Sequence, residues 1–136
     1  MARGVRTKMC GITGIVQFDR LVEDDGVIQE MTETIAHRGP DAMNIQKYRH
    51  AHLGHQRLAI IDVTYGQQPM TKTRGQEQYT IVYNGEIYNA PLLRQELEQL
   101  GYHFTTNCDT EVLLVCYIHY GPEKCLQRLN GIFSFA

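Results

Sequence analysis

The alternation of apolar and polar residues in the first half of the chain predicts short strands around one helix. Isoleucines and valines separated by glycines predict a strand over 10–18. Apolar residues recur three and four positions apart over 25–36, which predicts an amphipathic helix. The sequence HRGPD at 37–41 contains glycine and proline, so it is expected to end that helix in a turn. Two further strands, 45–50 and 52–62, are expected to form an antiparallel pair.

The middle of the chain is predicted to contain a short strand followed by a leucine-rich helix. Residues 79–83 form a short run that ends at Asn84-Gly85, the dipeptide most favoured in a tight hairpin turn. Pro91 suits the first turn of a helix, which Gly101 is expected to end. The leucines predicted to line one face of this helix are Leu92, Leu93, Leu97 and Leu100.

The last third of the chain begins with a segment that fits two structures. Residues 109–120 are nearly all apolar, as in a buried strand or a buried helix. The length of the segment, with Asp109 and Glu111 at its start, favours a helix. A short helix is predicted over 122–129 and a strand over 131–136. Because the chain stops in that strand, we expect it to be truncated.

Composition places the chain among single globular domains. Its 136 residues are 43% apolar and 21% charged, which suffices for a core. A formal net charge of -2 gives no basic surface, so no nucleic-acid or membrane partner is expected. The longest apolar runs, such as 112–116, are far shorter than the roughly 20 residues of a membrane-spanning helix.

The leader and the cysteines predict a cytoplasmic protein. Residues 1–8 are basic, but glycines and polar residues interrupt the segment that follows, so it does not resemble a signal peptide. The cysteines form no C-x-x-C pair and have no zinc-ligand spacing, which predicts a reducing compartment. They are Cys10, Cys108, Cys116 and Cys125.

Cys10 allows two interpretations. Free cysteine is among the most buried residue types, so a small core residue is the simpler one. The alternative is a nucleophile whose own α-amino group, titrating near pH ~8, takes the thiol proton. That chemistry requires the cysteine to be the first residue. Met9 directly precedes Cys10, and initiation there with loss of the methionine would supply such an N-terminus.

Five motifs carry a resemblance over residues 9–136. They are MCGITGI (9–15), HRGPD (37–41), LGHQRLAIID (53–62), YNGEIYN (83–89) and CDTEVLL (108–114). In this order they resemble the glutaminase domain of the glutamine-hydrolysing asparagine synthetase family, a class II glutamine amidotransferase domain. Other amidotransferases with an N-terminal cysteine share the Cys-Gly-Ile opening but differ at the second and fourth motifs.

The resemblance implies the fold and the domain boundaries. The expected fold is α+β, an N-terminal nucleophile hydrolase fold with two antiparallel sheets between helices in a four-layer αββα sandwich. Residues 1–9 would be a leader or propeptide ending in the initiator Met9. Residues 10–136 would be the glutaminase domain, without the ATP-dependent synthetase domain.

The resemblance also implies catalytic residues. Cys10 would attack the side-chain amide of L-glutamine, form a thioester and release ammonia, with its own amine as base and acid. Asn84 and Gly85 would supply the oxyanion hole and contact substrate. From the sequence alone a hairpin turn is the favoured interpretation of Asn84-Gly85, and the two interpretations are compatible.

The same resemblance implies residues that bind glutamine. Arg57 would hold the α-carboxylate, although without the resemblance a paired arginine on a strand surface is the simpler interpretation. Glu86 and Asp109 would receive the α-ammonium group, while Asp109 could instead cap a helix or lie in its first turn. The residues expected to form the pocket wall and main-chain contacts are Leu58, Ala59, Ile60 and Ile61.

No metal site is predicted in this domain. His50, His52 and His55 are closely spaced, but on a strand 50 and 52 share a face that excludes 55, so surface histidines are expected. The loop with His37, Arg38 and Asp41 is expected near the site without direct catalysis.

The expected partners follow from the resemblance. They are L-glutamine, a synthetase domain in the same chain that uses ATP and magnesium to make asparagine from aspartate, and a second copy in a homodimer. No cofactor is expected for the glutaminase domain itself. Two alternatives remain: a glutaminase domain serving a different ammonia acceptor, and a non-catalytic domain if Cys10 never becomes N-terminal.

Overall fold

A computed structural model describes residues 9–23, 26–58 and 66–136. In these ranges, the helices are α1 (Val27–Thr34), α2 (Ala90–Gln99), α3 (Asp109–Tyr120) and α4 (Pro122–Arg128). The strands are β1 (Gly11–Val16), β2 (Ala42–Lys47), β3 (Ala51–Arg57), β4 (Met70–Arg74), β5 (Glu77–Ile81), β6 (Tyr83–Ile87) and β7 (Gly131–Phe135). The leader 1–8 lies outside the described residues, and so do residues 59–62 at the end of the predicted strand 52–62.

The first sheet has the order β1-β3-β2, with both pairs antiparallel. One of its faces packs on α1, because Gly54 of β3 leaves space for Thr32, whose hydroxyl lies 2.8 Å from that of Thr13 in β1. The Gln56 side-chain amide donates to the Thr32 carbonyl on this face at 3.0 Å. The predicted antiparallel pair is therefore confirmed, although its first strand lies three residues earlier than expected. The first helix is also confirmed and is shorter at both ends.

The remaining strands form two antiparallel pairs, β4-β5 and β6-β7. β6 packs against β1, and α3 packs on the other side against β4, β5 and β6. The order of layers is therefore helix, sheet, sheet, helix, as the αββα expectation requires. Between these strands and α2 and α3 lies the main core, which includes Ile81, Ile87, Leu93, Leu97, Val112, Leu113 and Cys116. The predicted helix over 109–120 is confirmed with the same bounds.

The predicted hairpin turn at Asn84-Gly85 is wrong. Both residues lie inside β6, where Asn84 pairs with Ser134 and Gly85 with Phe133 of β7. A Cβ atom on Gly85 would overlap the Ile132 carbonyl oxygen and the Phe133 backbone, so glycine is required here by the close approach of β7. The tight turn lies instead at Gly75, which has a φ of 62° between β4 and β5.

One prediction about α2 is only half right. Leu93 and Leu97 are buried in the core, whereas Leu92 and Leu100 are exposed by 69% and 51%. The helix therefore buries a narrower apolar stripe than four leucines suggested. Within the described residues, no helix has the length and apolar character needed to cross a membrane.

Candidate active site

A cavity of about 490 Å³ lies where β1, β3 and β6 meet the start of α3. It gathers every predicted site residue that the structure describes, namely Cys10, Arg57, Leu58, Asn84, Gly85, Glu86 and Asp109. Predicted site residues Ala59, Ile60 and Ile61 lie outside the described residues.

Cys10 directly precedes β1 and lies at the cavity. Because Gly11 and Thr13 face α1, strand alternation directs Cys10 to the opposite face. The Leu58 N–H donates to the Cys10 sulfur at 3.3 Å, and the thiol lies 3.6 Å from the Leu58 carbonyl oxygen. The Cys10 carbonyl accepts from Arg38 Nε at 3.3 Å, which brings the 37–41 loop beside the site as expected. Cys10 is thus not a core residue.

Arg57 ends β3 on the same side as the cavity. Gly54 and Gln56 face α1, so alternation turns His55 and Arg57 the other way. Arg57 is only 6% exposed and lines the cavity, so the interpretation as a strand-surface arginine is wrong. A guanidinium in this position provides a fixed fork of donors suited to a carboxylate.

One edge of β6 faces away from β7 and presents backbone donors. Val82 and Ala136 exchange both backbone hydrogen bonds, and Tyr88 N–H donates to Asn130, so the even-numbered residues of β6 bond to β7. The N–H groups of Tyr83, Gly85 and Ile87 therefore point to the opposite edge. This alternation gives the Gly85 N–H the orientation that an oxyanion donor at the cavity needs.

The two donors on either side of Gly85 are held by side chains. Tyr83 N–H donates to Gln68 Oε1 at 2.5 Å, and Ile87 N–H donates to Asp109 Oδ2 at 3.0 Å. Among the described residues, no side chain accepts a hydrogen bond from the Gly85 N–H, which lies between them. It is therefore available to a ligand.

Asp109 is the first residue of α3 and does not cap its own helix, whose N-cap is Cys108. Its Oδ2 also accepts the Tyr83 hydroxyl at 2.6 Å. Burial, together with this hydrogen bond, raises the pKa of Tyr83, which stays a donor. Glu86 is exposed at the cavity. The two carboxyl groups thus line the same cavity as Arg57.

His55 is fully buried in the cavity wall, and neither ring nitrogen has a hydrogen-bond partner among the described residues. Burial lowers its pKa from 6.5 to about 4, so the imidazole is neutral near pH 7. His52 is also buried, whereas His50 is exposed with Nδ1 2.8 Å from the Arg20 carbonyl. The prediction of surface histidines is therefore right for His50 only. The described residues contain no group of metal-ligand side chains.

Sequence reasoning missed several residues of the cavity wall. Gln68 is 6% exposed and Thr110 is 3% exposed, and the Gln68 amide donates to the Thr110 hydroxyl at 3.2 Å. Each is brought to the cavity only by folding, and neither has a local sequence signal. The predicted packing of Cys108, Cys116 and Cys125 is confirmed, since all three are buried and free.

Comparisons with known proteins agree with the motifs. Residues 9–136 match the family described as glutamine amidotransferase domain. Over 129 residues the chain is 48% identical to "Asparagine synthetase [glutamine-hydrolyzing] 3" of Bacillus subtilis (strain 168), covering 94% of this chain and 21% of that protein. It is 40% identical over 133 residues to "Asparagine synthetase B [glutamine-hydrolyzing]" of Escherichia coli (strain K12), covering 94% and 23%.

The chain thus spans about a fifth of the length of the curated relatives it matches. Among solved structures it is similar to the "allosteric regulatory enzyme of purine biosynthesis", with a TM-score of 0.56 and 21% identity. That likeness covers 95% of this chain and 29% of the other, and it supports the N-terminal nucleophile fold. From its sequence match and its fold, the chain belongs to the glutamine amidotransferase domain family.

Proposed function

We propose that this domain hydrolyses the side-chain amide of L-glutamine to glutamate and ammonia. The observation that carries the proposal is the content of the cavity, where Cys10, Arg57, Asp109 and the outward-facing edge of β6 meet. A guanidinium suits the α-carboxylate of an amino acid, and carboxylates suit its α-ammonium group. These two contacts would fix the side-chain amide near the thiol.

In the proposed reaction the Cys10 α-amine takes the thiol proton, and the thiolate attacks the amide carbon. Negative charge develops on the amide oxygen, where the Gly85 N–H and the Asn84 side-chain amide would stabilise it. Collapse breaks the C–N bond, and the protonated amine gives its proton to the departing ammonia. Water then attacks the thioester, which releases glutamate and restores the thiol.

We infer that the working chain begins at Cys10. An amide nitrogen has no basic lone pair, so residues 1–9 would remove the base by placing the Cys10 nitrogen in a peptide bond. Met9 is 40% exposed and lines the cavity, so cleavage before Cys10 would leave the new α-amine at the cavity edge. Residues 1–8 belong to the same proposed leader.

We further propose that the ammonia serves asparagine synthesis from aspartate in a synthetase domain of the same chain. The support is that the relatives from Bacillus subtilis and Escherichia coli are asparagine synthetases about five times as long as this sequence. In that proposal ATP and magnesium belong to the synthetase domain, the glutaminase domain needs no cofactor, and the protein works in the cytoplasm as a homodimer. A different ammonia acceptor is the second candidate, since the similar fold occurs in an enzyme of purine biosynthesis.

The reaction is tested by measuring glutamate release from glutamine by the natural full-length protein. We expect activity when the chain begins at Cys10 and none in the Cys10→Ala variant. A chain that retains Met1 should also be inactive, because it keeps the thiol but lacks the base. Equal activity with and without residues 1–9 would contradict the proposed mechanism. Added aspartate, ATP and magnesium should yield asparagine, and failure to do so would favour the second candidate.

A further inference from the structure

The orientation of β6 depends on side chains that hold its cavity-facing edge. Of the three donors on that edge, the Tyr83 N–H is held by Gln68 and the Ile87 N–H by Asp109. Gly85 lies between these two fixed points. Together with the pairing of β6 to β7, these two contacts set the direction of the Gly85 N–H.

Gln68 connects that edge to a second part of the site. Its Oε1 accepts from Tyr83 at 2.5 Å, and its Nε2 donates to the Thr110 hydroxyl at 3.2 Å. Thr110 follows Asp109 in the first turn of α3. One side-chain amide thus joins the start of β6 to the start of the helix that carries the ammonium-binding carboxylate.

Only a group that both donates and accepts makes these two contacts as observed. Gln68 is 6% exposed, so loss of the amide would leave the Tyr83 N–H without its acceptor in a buried place. The neighbouring Gln67 offers a matched comparison, since it is exposed and does not line the cavity.

We propose that Gln68 is a positioning residue that sets the distance and orientation between the oxyanion donor of β6 and Asp109 of α3. It acts through Tyr83 and Thr110 and does not contact the reacting atoms. This inference rests on the proposed glutaminase function. The two hydrogen bonds of Gln68 have different consequences. The bond to Tyr83 orients the Gly85 N–H, and the bond to Thr110 orients the Asp109 carboxylate that binds substrate.

The test compares Gln68→Met, Thr110→Val and Gln67→Met in the natural full-length protein beginning at Cys10. Gln68→Met should lower kcat for glutamate release about tenfold or more, because oxyanion stabilisation acts in the transition state. Thr110→Val keeps the Tyr83 contact, so it should raise KM for glutamine severalfold with kcat changed less than about twofold. Gln67→Met should leave both constants within about twofold of the wild type.

Active-site titration with a diazoketone analogue of glutamine would normalise kcat to the reactive fraction. The proposal would be overturned if the loss of kcat in Gln68→Met disappears on normalisation, or if it equals the change in Gln67→Met. If Gln68→Met does not fold, the Thr110→Val variant decides, and an unchanged KM would count against the positioning role.

Amide hydrogen exchange separates this inference from the glutaminase proposal. Exchange over Tyr83–Gly85 should be faster in folded Gln68→Met than in Gln67→Met, whether or not the protein releases glutamate. If the wild type is inactive but this difference appears, the function fails and the positioning contact stands. If the wild type is active and exchange and kcat are unchanged in Gln68→Met, the positioning role fails.

Discussion

Arg57 and His55 lie two residues apart on one face of β3 and differ in charge. A guanidinium is a permanent cation in proteins. The buried imidazole of His55 is neutral, because burial lowers its pKa to about 4. A single permanent cation is thus placed in this wall of the cavity, next to a neutral ring that does not compete for an anionic group.

Arg57→Lys keeps the positive charge but removes the planar fork of donors. We expect KM for glutamine to rise about tenfold, with kcat changed less than roughly threefold, because a contact to the α-carboxylate is present in both ground and transition states. Steady-state kinetics of glutamate release would measure this split. Arg49→Lys, at an exposed position, is the matched control and should leave KM unchanged. An unchanged KM in Arg57→Lys would show that Arg57 does not hold the carboxylate.

The titration of His55 makes the folded state sensitive to mild acid. In the unfolded chain the imidazole protonates near 6.5, whereas in the folded protein its pKa is about 4. Between these values the unfolded state binds more protons, so the free energy of unfolding falls as pH drops from 6.5 towards 4. The loss attributable to His55 is at most on the order of 3 kcal/mol.

Urea unfolding at several pH values tests whether the free energy of unfolding falls with pH in this way. The His55→Leu variant should show a flatter dependence of unfolding free energy on pH between 6.5 and 4, whatever its stability at pH 7. His103→Leu, at an exposed position, should keep the wild-type slope. The same slope in all three proteins would mean that His55 does not titrate as inferred.

At the scale of elements, a buried carboxylate fixes the segment that leads into α3. Glu111 accepts the backbone N–H groups of Thr105 and Thr106 at 2.9 and 2.7 Å and both of their hydroxyls. Lys72 of β4 lies 2.6 Å from the same carboxylate. Burial raises the pKa of Glu111, but the hydrogen bonds from Lys72, Thr105 and Thr106 outweigh it and lower the pKa to about 2. Asp109 therefore begins its helix from a fixed loop.

Glu111→Ala should lower the free energy of unfolding by about 3 kcal/mol, because it leaves buried donors without an acceptor. The wild-type contribution of this carboxylate is present above pH 4.5 and is lost as pH falls from 4.5 towards 2. Thermal unfolding at pH 7 gives the difference. Glu98→Ala, on the exposed side of α2, should change stability by less than about 0.5 kcal/mol. Comparable effects of the two variants would contradict the role of the Glu111 network.

The elements show what sequence patterns could predict. Periodicity located α1, because its apolar positions are set by burial against neighbours, whereas α3 was predicted from the length and acidic start of an apolar segment. It missed β4, whose sequence MTKTR is mostly polar, and it placed a turn at Asn84-Gly85. That dipeptide forms a strand because it pairs with Ser134 and Phe133 of β7, about 50 residues further along the chain, and a local preference cannot report such a partner.

The site residues also differ in whether the sequence could predict them. Cys10, Arg57 and Asp109 were found through motifs whose order and spacing resemble a family. Gln68 and His55 were not, since their roles arise from burial and from partners supplied by the fold. A glutamine before a proline or a histidine in a strand has no distinctive chemistry until those surroundings exist.

At the scale of the whole molecule, the cavity exists because the β1-β3-β2 sheet packs against the β6-β7 pair. The first sheet brings Cys10 and Arg57, the second brings Asn84 and Gly85, and α3 brings Asp109. No single helix or strand carries all of these groups. These groups meet only when the layers are assembled, so the proposed activity requires the complete sandwich and a chain that begins at Cys10.

The role of Cys10 as an N-terminal nucleophile is tested most directly by intact-mass and peptide mass spectrometry of the natural protein treated with a diazoketone analogue of glutamine. We expect a chain whose first residue is Cys10, carrying one adduct on that residue, and no adduct in Cys10→Ala. Two results would contradict this role. One is a chain that keeps residues 1–9 and forms the adduct on Cys10 as fast as a chain beginning at Cys10, and the other is a chain beginning at Cys10 that forms no adduct.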